Sequence, residues 1–127
     1  MNKEAKFRRI ITKRGTLILA GKDAETNEQI IKQAGKDEDV FHTESAGSPF
    51  VNIKGSPKRE DIKDAAIFCA KYSREWKSNK QNVIVHKFKG RDIYKTKEMG
   101  TGSFGVKKFR IIKVKKQDIE SFEKTFK

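Results

Sequence analysis

The sequence predicts an α+β domain: a largely antiparallel sheet with helices packed on one side of it. Three observations carry this. Short β-branched and aromatic runs recur between turn residues, one stretch after Pro57 repeats apolar residues at helical spacing, and the 127 residues contain no linker long enough to separate two units. A chain of this length is expected to form one domain over residues 1–127, burying roughly 65% of its unfolded surface.

The elements are taken in chain order. FRRIIT and TLILAG flank Lys13-Arg14-Gly15 and read as a β-hairpin. Thr26-Asn27 then offers an N-cap for a short helix through Gln33, ended by Gly35. DVFHT and FVNIK, on either side of ESAGSP, read as two further strands. After Pro57 the residues Ile62, Ala65, Ala66, Cys69, Tyr72, Ser73 and Trp76 fall on one helical face, which is expected to pack on the sheet. On that face Cys69 reads as a small core hydrophobe and not as a nucleophile. QNVIVHKF, DIYKTK and VKKFRIIKV read as three strands of alternating apolar and basic residues, placing Lys87, Lys89 and Lys95 on solvent-facing sides. QDIESFEKTF completes the chain as a short helix with Ile119 and Phe122 facing inward.

Charge points to a partner. Lys and Arg total 30 against 17 Asp and Glu, a net charge of +13. The excess is uneven: +3 from Met1 to Trp76, +11 from Lys77 to Lys116 and −1 beyond. Such a concentration is the footprint of a polyanion-binding surface, set against the plainer reading of a solvated basic face. An acidic membrane surface would call for a basic amphipathic helix with an aromatic face, and that stretch reads as strands. No run of roughly eighteen apolar residues is present and MNKEAKFRRI lacks the apolar core of a secretory signal. The single Cys69 has no partner for an internal disulfide, and a cytoplasmic location is expected.

GTGSFGVKKFR carries G-x-G-x-x-G in Gly100, Gly102 and Gly105, the spacing by which kinases and dinucleotide enzymes hold phosphates. A kinase needs its Lys and its catalytic and metal-binding Asp well downstream, where this chain reaches Lys127, and Val106 sits one place too early for that loop. A dinucleotide site needs a helix after the glycines, with an acidic residue about 20 positions on. Instead Lys107 to Lys116 spell KKFRIIKVKK, which reads as a strand. The glycines therefore read as a tight connection needing positive φ, either purely structural or letting backbone N–H groups approach a phosphate. His42-Thr43-Glu44 has the H-x-E form of zinc deaminases, yet one cysteine cannot complete that site, and no metal or cofactor is expected. Ser48 as a nucleophile with His42 as its base lacks an oxyanion hole, so a turn serine bonded to local backbone is the simpler reading.

AGKDAETNEQIIKQA, VFHTESAGSPFVNI, AAIFCAKYSREWK and DIYKTKEMGTGSFGVKKFRIIKV, in that order and over almost the whole chain, resemble the NFACT-R domain family. The commoner branch has an acidic residue followed by hydrophobic-Trp-Phe-His. This chain reads Asp39-Val40-Phe41-His42 without the Trp and, with G-S-P-F at Gly47 to Phe50, looks closer to the second branch, found alone or joined to enzymes that thiolate transfer RNA. The resemblance implies an RNA-binding module, in some proteins one domain of factors acting on stalled large ribosomal subunits. Their transfer-RNA chemistry resides in another domain, so it implies binding without catalysis.

Charge and resemblance together give the expected partners: transfer or ribosomal RNA, with the ribosome or an RNA-thiolation enzyme beside it. Lys87, Lys89, Lys95, Lys97, Lys107, Lys108 and Arg110 are expected to neutralise phosphates, with the turn at Gly102 approaching one closely. His42, Thr43 and Ser48, which match the family's most recognisable segment, would offer hydrogen bonds to ribose or base. Trp76 reads as core from its apolar face, with base stacking the alternative. Two rival classes are an RNA-modifying enzyme using His42, Ser48 or Glu44, and a ribosome-bound protein adaptor using exposed Phe104 and Phe109.

Overall fold

In the computed structural model, which describes residues 7–125, the chain first reverses at Gly15, whose φ of +84° lies in the region glycine enters freely. Met1–Lys6 of MNKEAKFRRI, Phe126 of QDIESFEKTF and Lys127 lie outside the described residues. The turn joins β1 (Arg8–Ile11) to β2 (Leu17–Ala20), and the expected hairpin forms. The next element, α1 (Ala24–Gln33), begins earlier than expected. Asp23 is the N-cap: its carboxylate accepts the Thr26 N–H at 2.9 Å while the Thr26 hydroxyl accepts the Asp23 N–H at 3.0 Å. Thr26 thus closes a reciprocal capping pair inside the helix and does not start it.

β3 (Asp39–Thr43) and β4 (Val51–Ile53) form as expected. The helix after Pro57 is two helices, α2 (Arg59–Lys71) and α3 (Arg74–Asn79). Ser73 breaks them: its hydroxyl donates to the Ala70 carbonyl at 2.6 Å and accepts the Trp76 N–H at 3.1 Å, ending one helix and capping the next. Trp76 remains on the inner face, buried, with Nε1 donating to Glu123 at 3.2 Å, so it is a core residue. β5 (Val83–Lys89) matches QNVIVHKF. DIYKTK supplies only β6 (Ile93–Tyr94), and VKKFRIIKV is split into the end of β7 (Gly105–Val106) and β8 (Arg110–Val114) by a bend at Lys107. α4 (Lys116–Thr125) buries Ile119 and Phe122 as expected.

The main sheet runs β1-β2-β4-β3-β5-β8 with every neighbouring pair antiparallel, while β6 and β7 form a separate two-stranded ribbon. Alternation along each strand gives the sheet two apolar faces. On one, Ile18, Phe41, Val51 and Val85 meet Ala65 and Cys69 of α2 and Ile119 of α4. On the other, Leu19, Val40, Phe50 and Phe88 meet Ile30 of α1, with Phe104 and Val106 packed alongside. The expectation of helices on one side therefore holds for α2 and α4; α1 covers the opposite face, because Ile30 and Ile31 form an apolar stripe of their own. That second face stays open over β5 and β8, where Phe109 is 47% and Ile111 63% exposed.

Asp61 ties the hairpin turn to the start of α2. Its carboxylate accepts the Lys58 N–H and the Thr16 hydroxyl, both at 2.9 Å, and meets Arg14 Nε at 3.2 Å. Enclosure pushes its pKa up, but these hydrogen bonds, that of Thr12 and the Arg14 charge outweigh it and hold the group at about 2. Burial pushes the Cys69 thiol up to about 12, as suits a packing residue. Among the described residues no helix is long and apolar enough to cross a membrane, and no three His, Cys, Asp or Glu side chains gather as metal donors.

Candidate nucleic-acid interface

Antiparallel register sets His42 of β3 directly opposite His86 of β5, both on the second face of the sheet. The His42 ring lies 4.4 Å from that of Phe50, and Nδ1 is 2.8 Å from the Thr43 carbonyl. A carbonyl only accepts, so Nδ1 carries the proton and Nε2 is left as an acceptor. Burial lowers the pKa of His42 against the opposing effect of its hydrogen bond to the Thr43 carbonyl, with a smaller lowering by His86, which favours the neutral ring. His86 turns Nε2 towards Glu44 at 3.3 Å and stacks on Phe109, with ring centroids 3.9 Å apart and planes 11° from parallel.

The loop after β3 is held by the hydroxyls expected to contact RNA. Thr43 donates to the Ser45 carbonyl at 2.6 Å, and Ser48 accepts the Thr43 N–H and donates to the Pro49 carbonyl, both at 3.1 Å. Gly47, at φ +93°, presents its carbonyl to the first N–H of α3, Arg74, at 2.7 Å. The loop, the start of α1 and the glycine turn wall a cleft of about 790 Å³ at this end of the sheet, with both histidines lining it. Arg8, Lys22, Arg74 and Lys77 bring positive charge to its lining, against the carboxylates of Asp23 and Glu44. None of these four cations is marked by the sequence pattern, because they come from three separate parts of the chain, β1, the loop before α1, and α3, that only the fold gathers.

The glycine turn explains its own spacing. Gly102 has φ +82°, and a Cβ there would stand 2.9 Å from Ala24 Cα at the start of α1. Its N–H donates to the Glu28 carboxylate at 2.6 Å. Gly105 lies against the Tyr94 ring, where a Cβ would collide, whereas Gly100 has open space. Lys95 braces the same turn: its ammonium reaches Glu28 Oε1 at 3.0 Å and the carbonyls of Gly100 and Ser103 at 2.8 and 3.1 Å. The Gly102 N–H, and after it Lys95, hold the Glu28 carboxyl below its ordinary range against the opposing effect of desolvation. The anion at the glycine turn is thus the chain's own Glu28.

The remaining expected cations divide. Lys87 and Lys89 project from the face covered by α2 and α4 towards Asp39, at 3.5 and 3.0 Å, and the Lys87 side chain is mostly enclosed, contrary to the solvent-facing expectation. Strand alternation is respected, but alternation alone takes no account of Asp39, which arrives from β3. Arg91 pairs with Asp37 and Lys95 with Glu28, so acidic residues of the first half offset part of the +11 stretch. Lys97, Lys107, Lys108 and Arg110 are exposed as expected. On and around β8 they are joined by Lys113, Lys115 and Lys116, which the sequence pattern does not single out. Among the described residues none of the six cations from Lys107 to Lys116 enters an ion pair, and that segment contains no acid. Phe104 is not an exposed docking residue: it packs edge-on against Phe50 at 5.5 Å.

A sheet whose rim strand is crowded with cations, beside a cleft lined by further basic groups, defines a polyanion-binding module. The chain belongs to the NFACT protein RNA binding domain family, which matches residues 6–108. The match ends at Lys108, so β8 lies beyond it. An archaeal Rqc2 homolog of Methanocaldococcus jannaschii is 41% identical over 90 residues, covering 68% of this chain and 13% of that protein. The C-terminal part of the fibronectin/fibrinogen-binding protein of Streptococcus suis has the same fold, with a TM-score of 0.81 and 25% identity over 94% of this chain and 50% of the other. The chain spans half or less of the length of either relative.

Proposed function

We propose that residues 1–127 act as one RNA-binding module that captures transfer or ribosomal RNA and performs no chemistry on it. The observation that carries this is the run of six exposed cations from Lys107 to Lys116 on and around the edge strand, with no acid among them. Exposed Lys97 and the cations lining the cleft add to this charge, and His42 offers its Nε2 acceptor at the cleft. Thr43, Ser48, Gly102 and Lys95 contribute by holding the loop and turn that shape the cleft; Lys87 and Lys89 contribute from the other face, through Asp39.

Absence of catalysis is supported at His42 and Ser48. The His42 Nδ1 proton is given to the Thr43 carbonyl and the Ser48 proton to the Pro49 carbonyl, so neither is directed at the other. The archaeal Rqc2 homolog supports a setting at the ribosome, in the cytoplasm, in quality control of stalled subunits. Service to an RNA-thiolation enzyme is the narrower reading, resting on the G-S-P-F segment at Gly47 to Phe50.

The test is the salt dependence of binding to purified transfer RNA and ribosomal RNA fragments, measured by fluorescence anisotropy. If ~6 phosphates are neutralised, log affinity falls against log salt with a slope of about −4 to −5. Replacing Lys108 and Arg110 with Ala makes the slope shallower by about 0.8 for each charge removed. A flat dependence refutes the reading.

A further inference from the structure

The open half of the second sheet face carries two of the four large apolar side chains left exposed among the described residues, Phe109 and Ile111. They are not scattered. Ile111 lies opposite His86 in the β5–β8 register, and Phe109 is stacked on the same His86 ring at 3.9 Å and 11°. One π face of Phe109 is thereby supported from beneath, and the residue remains 47% exposed to solvent. Lys113 lies two positions beyond Ile111 on the same face, and Lys107 and Lys108 precede the ring in the chain, while Arg110, opposite Lys87, belongs to the other face. A flat, propped aromatic surface with Lys113 on its own face and lysines beside it in the chain complements a nucleotide at both ends: the ring matches the base and the ammonium groups match its phosphate.

We infer that Phe109, backed by His86 and bordered by Ile111, is a stacking platform for an unpaired base, so that this module prefers RNA with a loop, bulge or single-stranded end over continuous duplex. The inference rests on the RNA-binding reading above and adds to it the form of RNA recognised. Bases inside an A-form helix are stacked on one another and offer no free face, whereas an unpaired base can leave the strand and lie on the ring. Phosphate contacts from the surrounding lysines hold either form. The platform distinguishes them.

The experiment compares a hairpin bearing 5-iodouridine in an unpaired loop with a blunt duplex of equal length, using the full chain. The hairpin binds more tightly, and irradiation crosslinks the iodouridine to Phe109, identified by mass spectrometry. Phe109→Ala and Phe109→Leu each weaken hairpin binding by roughly tenfold, the loss typical of one stacked base, and leave duplex binding within about twofold. Phe109→Trp, which keeps a π face, retains hairpin binding; Phe109→Leu, which keeps apolar bulk alone, tests the ring itself. Hairpin binding unchanged in Phe109→Ala, or restored in Phe109→Leu, overturns the platform while leaving RNA binding standing. If neither RNA binds the unaltered protein, both readings are overturned.

Discussion

Gly102→Ala is the substitution that tests how the glycine turn is held. An alanine at φ +82° enters a region costing L-residues about 1–2 kcal/mol. Its Cβ would also stand 2.9 Å from Ala24 Cα and 3.0 Å from the Ala24 carbonyl oxygen, backbone atoms fixed by the first turn of α1. The turn must therefore lift away from α1, lengthening the 2.6 Å bond from the Gly102 N–H to Glu28, a charge-assisted contact of about 1.5–3 kcal/mol. These effects overlap, and their combined cost is about 3 kcal/mol, which lowers Tm by about 10 °C for a domain of this size. Gly100→Ala is the control: nothing lies within 4 Å of its Cβ position and its φ is ordinary, so it stays within about 0.5 kcal/mol of wild type. Thermal unfolding monitored by circular dichroism compares the two. If Gly102→Ala melts as Gly100→Ala does, the turn is not docked on α1 and the structural origin of the glycine spacing is refuted.

Lys95→Met removes an ammonium that three oxygens share, costing about 1 kcal/mol and loosening the turn. Chymotrypsin is expected to cut after Phe104 faster in this variant, and unchanged cleavage contradicts the bracing role. Asp61 has a folded pKa of about 2 against an ordinary 3.8, so its contribution is complete above about pH 4 and is lost as pH falls through 2. The gap in Tm between wild type and Asp61→Asn is accordingly widest above pH 4 and closes towards pH 2; a gap independent of pH would contradict the assignment.

What was legible in the sequence depended on the range of the interaction. The first hairpin and the inward face of α4 are written in neighbouring residues, and both formed as read. The break between α2 and α3 was hidden because Tyr72, Ser73 and Trp76 continue the helical period across it; only the capping hydrogen bonds of Ser73 mark the end. Asp23 and Thr26 show the converse difficulty: two capping residues stood three apart, and their reciprocal bonds decide which is the cap. The candidate site suffered most. Gly102 meets Glu28 across 74 positions and Lys95 meets it across 67, so no local reading could see that the turn already holds a carboxylate. Counting charge by segment likewise credited Lys87 to the open surface and left both Lys87 and Lys89 uncompensated, since Asp39 is distant in the chain.

The cations of β8 also bear on the protein's behaviour alone in solution. A strand at the rim of a sheet leaves one row of amide and carbonyl groups unpaired, a template for any other extended chain. Were two copies to join rim to rim through β8, two strands each carrying Arg110 and Lys113, with no acid from Lys107 to Lys116, would lie roughly 5 Å apart. Repulsion therefore keeps the rim unzipped, and it does so only while the charges stand uncompensated. A polyanion lying along β8 removes the repulsion and covers the strand in the same act. Colloidal stability and the proposed capture of RNA thus draw on the same side chains, and a variant neutralised to test that capture would carry a bare β edge prone to self-association.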